Sequence, residues 1–185
     1  MCNTWRTDMR MIMAQCGNGI IGCGNRECNS CNKGLPWKCN SELKLFKEKT
    51  EHKTIIMGWN TYKSIGILSN RLHIVISKDL TIASKEQLVQ CKELMKKKSQ
   101  LIFVNDRLDW NMDELKNAWV IGGKRTYELL SEYITEYHIS TINNQLLIPG
   151  CAGYVTSPRI PYEELEYVHQ INHADYTHRV YKTRN

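Results

Sequence analysis

Two apolar segments that break on glycine and continue directly into a helix-like segment constrain the fold of this chain most. The first spans residues 54–61 and breaks at Gly58, and the second spans 118–126 and breaks at Gly122 and Gly123. An apolar run that passes without a linker into a helix is typical of β/α units around a parallel sheet. Glycine at the start of a helix lets the backbone approach a ligand closely, and the free N–H groups there favour phosphate oxygens. Each junction alone also fits an ordinary tight connection, but the pair predicts a binding site for a diphosphate.

Strand-like and helix-like segments alternate as far as Ser131, as expected for an α/β fold with a mostly parallel, twisted central sheet flanked by helices. The predicted buried strands are 9–14, 54–57, 72–76, 101–104 and 119–121. The predicted helices are 42–49, 61–65, 85–96 and 125–131. Longer β-rich segments then follow at 136–143, 166–172 and 177–182. Because proline and glycine turns separate them, we predict antiparallel strands at a C-terminal edge of the sheet.

Composition excludes several classes of protein. With 185 residues, 42% of them hydrophobic and 24% charged, the chain is typical of one globular domain, which we place at 9–185 behind an extension at 1–8 that need not be ordered. No apolar run approaches the roughly 20 residues that a membrane span needs, and the first residues lack the apolar core of a secretory signal. The formal charge of +6 is spread along the chain, which disfavours nucleic-acid binding. We therefore predict a cytoplasmic, monomeric protein that acts on small molecules.

A predicted amphipathic helix upstream of the first glycine junction carries an acid, Glu42, beside the apolar residues Leu43 and Phe46. This helix is one of several motifs whose order resembles that of dihydrofolate reductases over nearly the whole chain. The motifs are Ile20-Ile21-Gly22, Leu35-Pro36-Trp37, Glu42-Leu43-x-x-Phe46, Ile56-Met57-Gly58-x-x-Thr61, Asn70-Arg71, Val120-Ile121-Gly122-Gly123 and Tyr127. The resemblance implies a dihydrofolate-reductase-like fold and the NADPH-dependent reduction of 7,8-dihydrofolate to 5,6,7,8-tetrahydrofolate, which supplies one-carbon and thymidylate metabolism.

Two alternatives to this activity stay open at the level of sequence. One is a reductase of a related pterin or of a ribosylated pyrimidine on the same fold. The other is a binding module without catalysis that uses the cysteine-rich loop at residues 23–34. An acid suited to an aminopyrimidine edge, Glu42, together with a cation suited to a glutamate tail, Arg71, favours folate.

The resemblance implies three catalytic residues. Glu42 is expected to accept hydrogen bonds from the 2-amino group and a ring N–H of the pterin, a planar bidentate match. Because this carboxyl would lie on the aminopyrimidine edge, a water in the site is the more plausible direct donor of the proton. Trp37 is expected to line the site near that water, and Ser140 to hydrogen-bond the acid in place of the threonine that the family usually has there.

Further residues are implied to bind the substrate. Apolar side chains are expected to surround the pterin and benzoyl rings, and Arg71 is expected to pair with a carboxylate of the glutamate tail, which a guanidinium grips bidentately. The implied apolar and neighbouring residues are Ala14, Leu35, Leu43, Phe46, Ile65, Leu68 and Ile121.

The dinucleotide is expected to lie across the two glycine junctions, with a cis peptide bond between Gly122 and Gly123. The implied contacts are Ile21, Gly22, Gly58, Trp59, Asn60, Thr61, Ser77, Lys78, Gly122, Gly123, Lys124, Arg125, Thr126 and Tyr127. Trp59 and Asn60 stand where relatives often place basic residues for the 2′-phosphate of NADPH. We expect Lys78 and Arg125 to supply that charge and Trp59 to stack on adenine.

The loop between Gly22 and Leu35 is longer than in compact family members and contains Cys23, Cys28 and Cys31. The spacing of these three cysteines, with Cys16 or Cys39 as a fourth ligand, is compatible with a tetrahedral zinc site that stiffens the loop. Free thiols and a disulfide are the alternatives. Cys151 lies far away in sequence and receives no predicted role.

Overall fold

Ten β-strands and four α-helices have bounds within the described part of the chain. The computed structural model describes residues 8–25, 28, 31, 34–79, 81, 91–106, 115–151 and 153–184. The strands are β1 (Met9–Cys16), β2 (Ile20–Cys23), β3 (Thr54–Gly58), β4 (Leu72–Ile76), β5 (Gln100–Val104), β6 (Trp119–Gly122), β7 (Ile134–Ile142), β8 (Tyr154–Thr156), β9 (Leu165–Asn172) and β10 (Tyr176–Thr183). The helices are α1 (Asn40–Thr50), α2 (Trp59–Ile65), α3 (Cys91–Lys96) and α4 (Lys124–Leu129).

Eight strands form one sheet in the order β5-β4-β3-β6-β1-β7-β10-β9. The pairs from β5 to β7 are parallel, and β10 is antiparallel to both β7 and β9. This confirms the predicted mostly parallel sheet with an antiparallel C-terminal edge. The prediction that segment 136–143 is one of the antiparallel strands is correct only for its pairing with β10, because β7 also runs parallel to β1. A helical crossover through α4 joins β6 to β7 and returns the chain to the same end of the sheet.

The predicted elements lie where the sequence places them, with shifts of a few residues at their ends. The predicted helix 85–96 is seen as α3 from Cys91 onward, and residues 85–90 lie outside the described part, as do residues 1–7. Sequence reasoning missed β2 and β8, which pair with each other in a small antiparallel sheet. Strands of four and three residues are too short to show the alternation that identifies a strand.

The central strands of the large sheet are buried on both faces, whereas the edge strand β9 is mostly exposed. Within β1, Met11 and Met13 point to one apolar cluster and Ile12 points to another, as expected for alternating side chains in a strand covered on both sides. Tyr127 of α4 packs in the first cluster, and Phe46 of α1 packs against the second. Helices α1 and α4 therefore lie on opposite faces of the sheet. No described helix is both long and apolar enough to cross a bilayer.

Candidate active site

The two glycine junctions interlock at the carboxyl ends of two central strands of the sheet. Strands β3 and β6 are parallel neighbours, so the helices that follow them begin side by side. A Cβ atom on Gly58 would lie 2.8 Å from Oγ1 of Thr126, and one on Gly123 would lie 3.3 Å from Oγ1 of Thr61. A side chain at Gly58 would force Thr126 to move, whereas at Gly123 a Cβ would be a tight contact that Thr61 relieves by moving a few tenths of an ångström. The Gly122–Gly123 peptide bond is cis, as the resemblance implied.

Basic side chains near these junctions already have partners. The Arg125 guanidinium lies 2.8 Å from the Asp106 carboxylate. Lys124 donates a hydrogen bond to Oγ1 of Thr156 in β8, over 3.3 Å. The expected cation Lys78 is exposed at the end of β4. A negatively charged ligand at Arg125 would therefore share the guanidinium with Asp106 or displace it.

Trp59 belongs to an aromatic group next to the first junction. Its ring centroid lies 5.7 Å from that of Tyr62 and 5.8 Å from that of Phe103. The Lys63 ammonium lies 5.6 Å from the Trp59 ring centroid. Trp59 is only partly buried, while the expected neighbour Asn60 is exposed. These contacts fix the tryptophan from one side.

Ser77, at the carboxyl end of the neighbouring strand β4, is buried. Its hydroxyl donates to the backbone carbonyl of Asp79 and accepts from the Asp79 N–H. The serine therefore shapes the turn after β4 rather than presenting a free hydroxyl.

Glu42 in α1 is the most unusual acid of the described chain. Only 4% of the residue is exposed. Burial raises the pKa of its carboxyl from an ordinary value of 4.5 to about 7, although a hydrogen bond with the Ser140 side chain acts in the opposite direction. Burial is the main cause that raises the pKa of the Tyr127 phenol, and the charge of nearby Glu42 raises it further. A large fraction of Glu42 is therefore protonated at neutral pH.

A chain of polar contacts runs from Ser140 away from Glu42 and across the sheet. The Ser140 hydroxyl lies 3.1 Å from Nδ1 of His178, and Nε2 of His178 lies 3.2 Å from Nδ1 of His138. His138 Nε2 then lies 2.6 Å from the Glu136 carboxylate. Strand register produces the line, because Ser140 is paired directly with His178 between β7 and β10. Three side chains thus connect the buried acid Glu42 to the partly exposed acid Glu136.

The ionisation states of His178, His138 and Glu136 decide which atom donates the hydrogen in each of these polar contacts. Burial lowers the pKa of both histidines, that of His178 to about 4, so both rings are neutral at pH 7. Burial acts to raise the pKa of Glu136, but the His138 hydrogen bond and nearby cations outweigh it, and the carboxyl is ionised.

With those states, one arrangement gives every contact a donor. His138 Nε2 donates to Glu136, His178 Nε2 donates to His138, Ser140 donates to His178, and a protonated Glu42 donates to Ser140. Ionising Glu42 turns the Ser140 hydroxyl toward it and removes the donor from the His178 contact. His178 therefore competes for the Ser140 hydrogen bond that lowers the pKa of Glu42, while burial of the carboxyl raises that pKa.

Trp37 and Ala14 are linked to this acid through Ser140 and one apolar cluster. Trp37 is 1% exposed and forms a β-bridge with Leu147. It packs in an apolar cluster that also holds Leu35 and Ala14 at its edge. Ala14 in β1 is paired directly with Ser140 in β7. The structure thus brings the three expected catalytic residues and two expected substrate residues into one region.

The other expected apolar substrate residues border the second core cluster. Phe46, Ile65, Leu68 and Ile121 are all partly buried and pack against it. Leu43, one turn before Lys47 on α1, is 39% exposed. An apolar leucine left this open beside a buried acid is suited to contact with an apolar ligand ring.

Arg71 is buried and held by neutral acceptors. Its guanidinium donates to Oγ1 of Thr50 over 3.1 Å, to the Ser69 carbonyl over 2.6 Å and to the Lys47 carbonyl over 3.3 Å. Burial lowers the pKa of this guanidinium, with the nearby Glu51 acting against that shift. A buried cation whose hydrogen-bond partners carry no charge is well placed to receive a carboxylate.

Sequence reasoning missed the residues that support this site. Buried His73 accepts a hydrogen bond from the Leu68 N–H and, through Nδ1, donates to the Gln100 carbonyl, so it fixes the segment between Leu68 and Arg71. His138 and His178 were also missed. Strand alternation offered a partial signal, because His138 and Ser140 are two apart and share one face of β7.

The cysteines form a second polar cluster at the entrance of the loop after β2. The thiol sulfurs of Cys23, Cys28, Cys31 and Cys151 all lie within 4.8 Å of one another. Cys31 Sγ is 3.2 Å from that of Cys28 and 3.0 Å from that of Cys151. Burial and the neighbouring thiols raise the pKa of Cys31.

The prediction that Cys16 or Cys39 supplies the fourth thiol was therefore wrong. Cys16 and Cys39 are buried in the apolar cluster around Trp37, outside this group. Cys151, which had no predicted role, takes the fourth place because pairing of β2 with β8 brings Cys23 opposite Tyr154. A ligand that comes from a distant strand pairing cannot be read from local cysteine spacing.

Comparison with known proteins gives consistent matches. A family model described as dihydrofolate reductase matches residues 8–184. Dihydrofolate reductase type 5 of Escherichia coli is 24% identical over 175 residues, covering 93% of this chain and 96% of that protein. A solved dihydrofolate reductase from Enterococcus faecalis, complexed with NADP(H) and RAB-propyl, has the same fold, with a TM-score of 0.71, 20% identity, and 97% and 98% of the two chains covered.

Two relatives match over a small part of their length. Segregation and condensation protein A of Mycoplasmoides gallisepticum is 37% identical over 126 residues, which is 67% of this chain but 19% of that protein. The bifunctional dihydrofolate reductase-thymidylate synthase of Paramecium tetraurelia is 29% identical over 136 residues, 71% of this chain and 25% of that protein. Most of the sequence of these two proteins therefore lies outside the match.

Proposed function

This chain belongs to the dihydrofolate reductase family, and on that premise we propose that it reduces 7,8-dihydrofolate to 5,6,7,8-tetrahydrofolate with NADPH. The product supplies one-carbon and thymidylate metabolism. The observation that carries the proposal is a buried carboxyl, Glu42, hydrogen-bonded to Ser140 beside a set of half-exposed apolar side chains. The proposal includes the cytoplasmic, monomeric state that the sequence predicts.

Glu42 orients the substrate. Its two oxygens match the 2-amino group and the adjacent ring nitrogen of a pterin, and Ser140 holds the carboxyl from behind. The walls come from Trp37, which is fully buried, and from Ala14, which is paired with Ser140. A planar ring bound in this way has one orientation, which is the first requirement for a stereospecific reduction.

Glu42 also holds the proton that the reaction needs. With a pKa of about 7 the carboxyl is partly protonated at neutral pH, which suits a general acid. The acid lies on the aminopyrimidine edge, so a water carries the proton to the ring nitrogen that is reduced. Burial keeps the carboxyl partly protonated, and His178 competes for the Ser140 hydrogen bond that favours the ionised form.

The remaining part of the substrate lies along α1 and the turn before β4. Leu43, Phe46, Ile65 and Leu68 surround the rings, and binding would cover the exposed part of Leu43. Arg71, positioned by the turn that His73 fixes, receives a carboxylate of the glutamate tail. The two ends of the molecule are thus recognised by opposite charges.

The glycine junctions fit a dinucleotide. The first turns of α2 and α4 offer backbone N–H groups side by side, and Gly58 and Gly123 leave no side chain between them and a ligand. NADPH, when bound, supplies the hydride. Lys124 and Arg125 begin the second helix and provide positive charge for the phosphates, with Thr61 and Thr126 lining the interlocked turns. Ile21 and Gly22 of β2 complete the cofactor side.

The test is oxidation of NADPH that depends on dihydrofolate and is blocked by methotrexate. Turnover of dihydrofolate with Glu42→Gln at wild-type rate at neutral pH would remove Glu42 from the mechanism. A reductase of another pterin would act without the glutamate tail, and its KM would not respond to Arg71→Ala. A binding module would give no oxidation with any of these substrates. Size-exclusion chromatography tests the monomeric state.

A further inference from the structure

We propose that Cys23, Cys28, Cys31 and Cys151 form a tetrahedral zinc site that joins the cysteine-rich loop at residues 23–34 to the segment preceding β8. The four thiol sulfurs lie within 4.8 Å of one another in the protein chain alone. Four thiolates at the usual zinc–sulfur distance would be separated by about 3.8 Å, so the group needs only small movements to close around the ion. Three ligands come from one loop and the fourth from a segment far along the chain.

Zinc fits this chemistry better than free thiols do. Cys31 Sγ lies 3.0 Å from Cys151 Sγ and 3.2 Å from Cys28 Sγ, so the thiols are packed directly against one another. Ionising one thiol in such a group is costly, but a divalent cation bound by all four removes the cost. Zn²⁺ displaces one proton from each thiol and is then held by four thiolates, the standard ligand set of a closed structural site.

A disulfide is less suited to the same positions. Cys31 lies at hydrogen-bonding distance from both Cys28 and Cys151, so one bridge would leave two further thiols packed against it. Cys31 lies between the thiol of Cys28 and that of Cys151. A metal ion shared by all of them explains this position, whereas a single disulfide bond does not. None of these four cysteines is part of a disulfide bond in the structure.

The backbone around the site already brings the two segments together. The Gly24 N–H donates to the Gly153 carbonyl over 2.6 Å, and a Cβ on Gly24 would lie 2.9 Å from that oxygen. On the other side, the Cys23 N–H donates to the Gly34 carbonyl over 2.7 Å. Zinc would therefore fix both ends of the loop against β8 with one ion. The site is independent of the proposed reaction, but its effect on turnover rests on that proposal.

Metal content is the first measurement. Protein purified without chelators is analysed for zinc and iron by mass spectrometry, and X-ray absorption at the zinc edge reads the ligand set. We expect one zinc per chain with four sulfur neighbours. Protein containing iron in place of zinc, or nitrogen and oxygen neighbours, overturns the assignment. Zinc far below one per chain together with oxidised thiols in the denatured protein points to a disulfide and also overturns it.

Matched serine variants test the ligand set. Cys151→Ser should lose most of its zinc, whereas Cys16→Ser and Cys39→Ser, which change buried thiols outside the group, should retain one per chain. Circular dichroism confirms that each variant is folded. If Cys151→Ser does not fold, cobalt titration of the wild-type protein replaces it, because four thiolates give an intense sulfur-to-cobalt charge-transfer band. A cobalt spectrum without that band contradicts the proposal, as does full zinc in Cys151→Ser.

Amide exchange measures the structural consequence without using activity. Removal of zinc by a chelator should speed exchange of the Gly24 N–H, which bonds to Gly153, and of the Cys23 N–H. Exchange of the backbone amides in α4, which follows the second glycine junction, should stay the same. Equal exchange in the loop before and after chelation would show that no ion holds it. Dihydrofolate reduction by the zinc-loaded protein is then assayed separately. A failure of the zinc proposal can therefore be distinguished from a failure of the proposed reductase activity.

Discussion

Ser140 Oγ lies 3.1 Å from Nδ1 of His178 on the adjacent strand, and the same hydroxyl contacts the buried carboxyl of Glu42. Ser140 can donate its one proton to only one of them at a time. When it donates to His178, Glu42 must be protonated to complete the contact, and when it donates to Glu42, His178 loses a donor. The serine thus couples the ionisation of the acid to the histidine pair formed by His138 of β7 and His178 of β10.

The rate of hydride transfer should fall as pH rises through the pKa of Glu42. Its pKa is raised to about 7, so the protonated acid is lost above that pH and the proton reservoir with it. In Glu42→Gln the rate should be lower by roughly 10²–10⁴-fold and independent of this group. Single-turnover stopped-flow measurements across the pH range check both statements. A wild-type rate that stays constant through neutral pH would contradict them.

Ser140 and His178 should shift that profile in opposite directions. Ser140→Ala removes a hydrogen bond that lowers the pKa of Glu42, so the profile should move to higher pH. His178→Phe removes the competing acceptor, so the hydroxyl serves Glu42 fully and the profile should move to lower pH, by about one to two units for a hydrogen bond to a charged group.

His169→Phe is the matched control for this pair, since His169 is exposed on β9. A merely structural role of the polar chain would lower the rate in both variants without moving the profile. Shifts in the same direction for Ser140→Ala and His178→Phe would show that the serine does not choose between two acceptors.

The unliganded protein should lose stability as pH rises toward neutrality because of Glu42. The native state binds this proton more tightly than the unfolded chain, whose carboxyl has the ordinary pKa of 4.5. The free energy of unfolding therefore falls between that value and about 7. The two limits differ by about 3 kcal/mol, at about 1.36 kcal/mol per unit.

Urea unfolding of wild type and Glu42→Gln at several pH values isolates this contribution. As pH rises, the free energy of unfolding of the wild type should fall relative to that of Glu42→Gln. The difference between the two should become constant above neutral pH. A pH-independent difference would mean that the carboxyl has a normal pKa in the native state.

Arg125 should decide the preference for NADPH over NADH. Arg125→Ala should raise the KM for NADPH roughly tenfold or more, the value of a charged hydrogen bond, and leave that for NADH unchanged. Asp106→Asn should lower the KM for NADPH, because it frees the guanidinium from its 2.8 Å ion pair. Arg159→Ala is the control, since Arg159 is an exposed arginine paired with Glu163. Equal KM changes for both cofactors would show that Arg125 does not bind the 2′-phosphate.

Local patterns in the sequence were sufficient for the sheet and for the position of the acid. Apolar runs that pass through glycine into helices predict β3 with α2 and β6 with α4, because a strand and the helix after it are adjacent in sequence. Glu42 on the apolar side of α1 could be found in the same way. These features depend on backbone preferences and side-chain period within about ten residues, which the order of residues records directly.

Tertiary structure alone decided which distant groups meet. The pairing of β7 with β10 placed His178 against Ser140, and the pairing of β2 with β8 brought Cys151 to Cys31, while nothing local distinguished either residue. Asp106 reached Arg125 in the same manner. Contacts of this kind arise from strand register and from packing of the whole chain. The local sequence therefore predicts the acid and the glycine turns, but the histidine chain and the fourth thiol follow only from the assembled sheet.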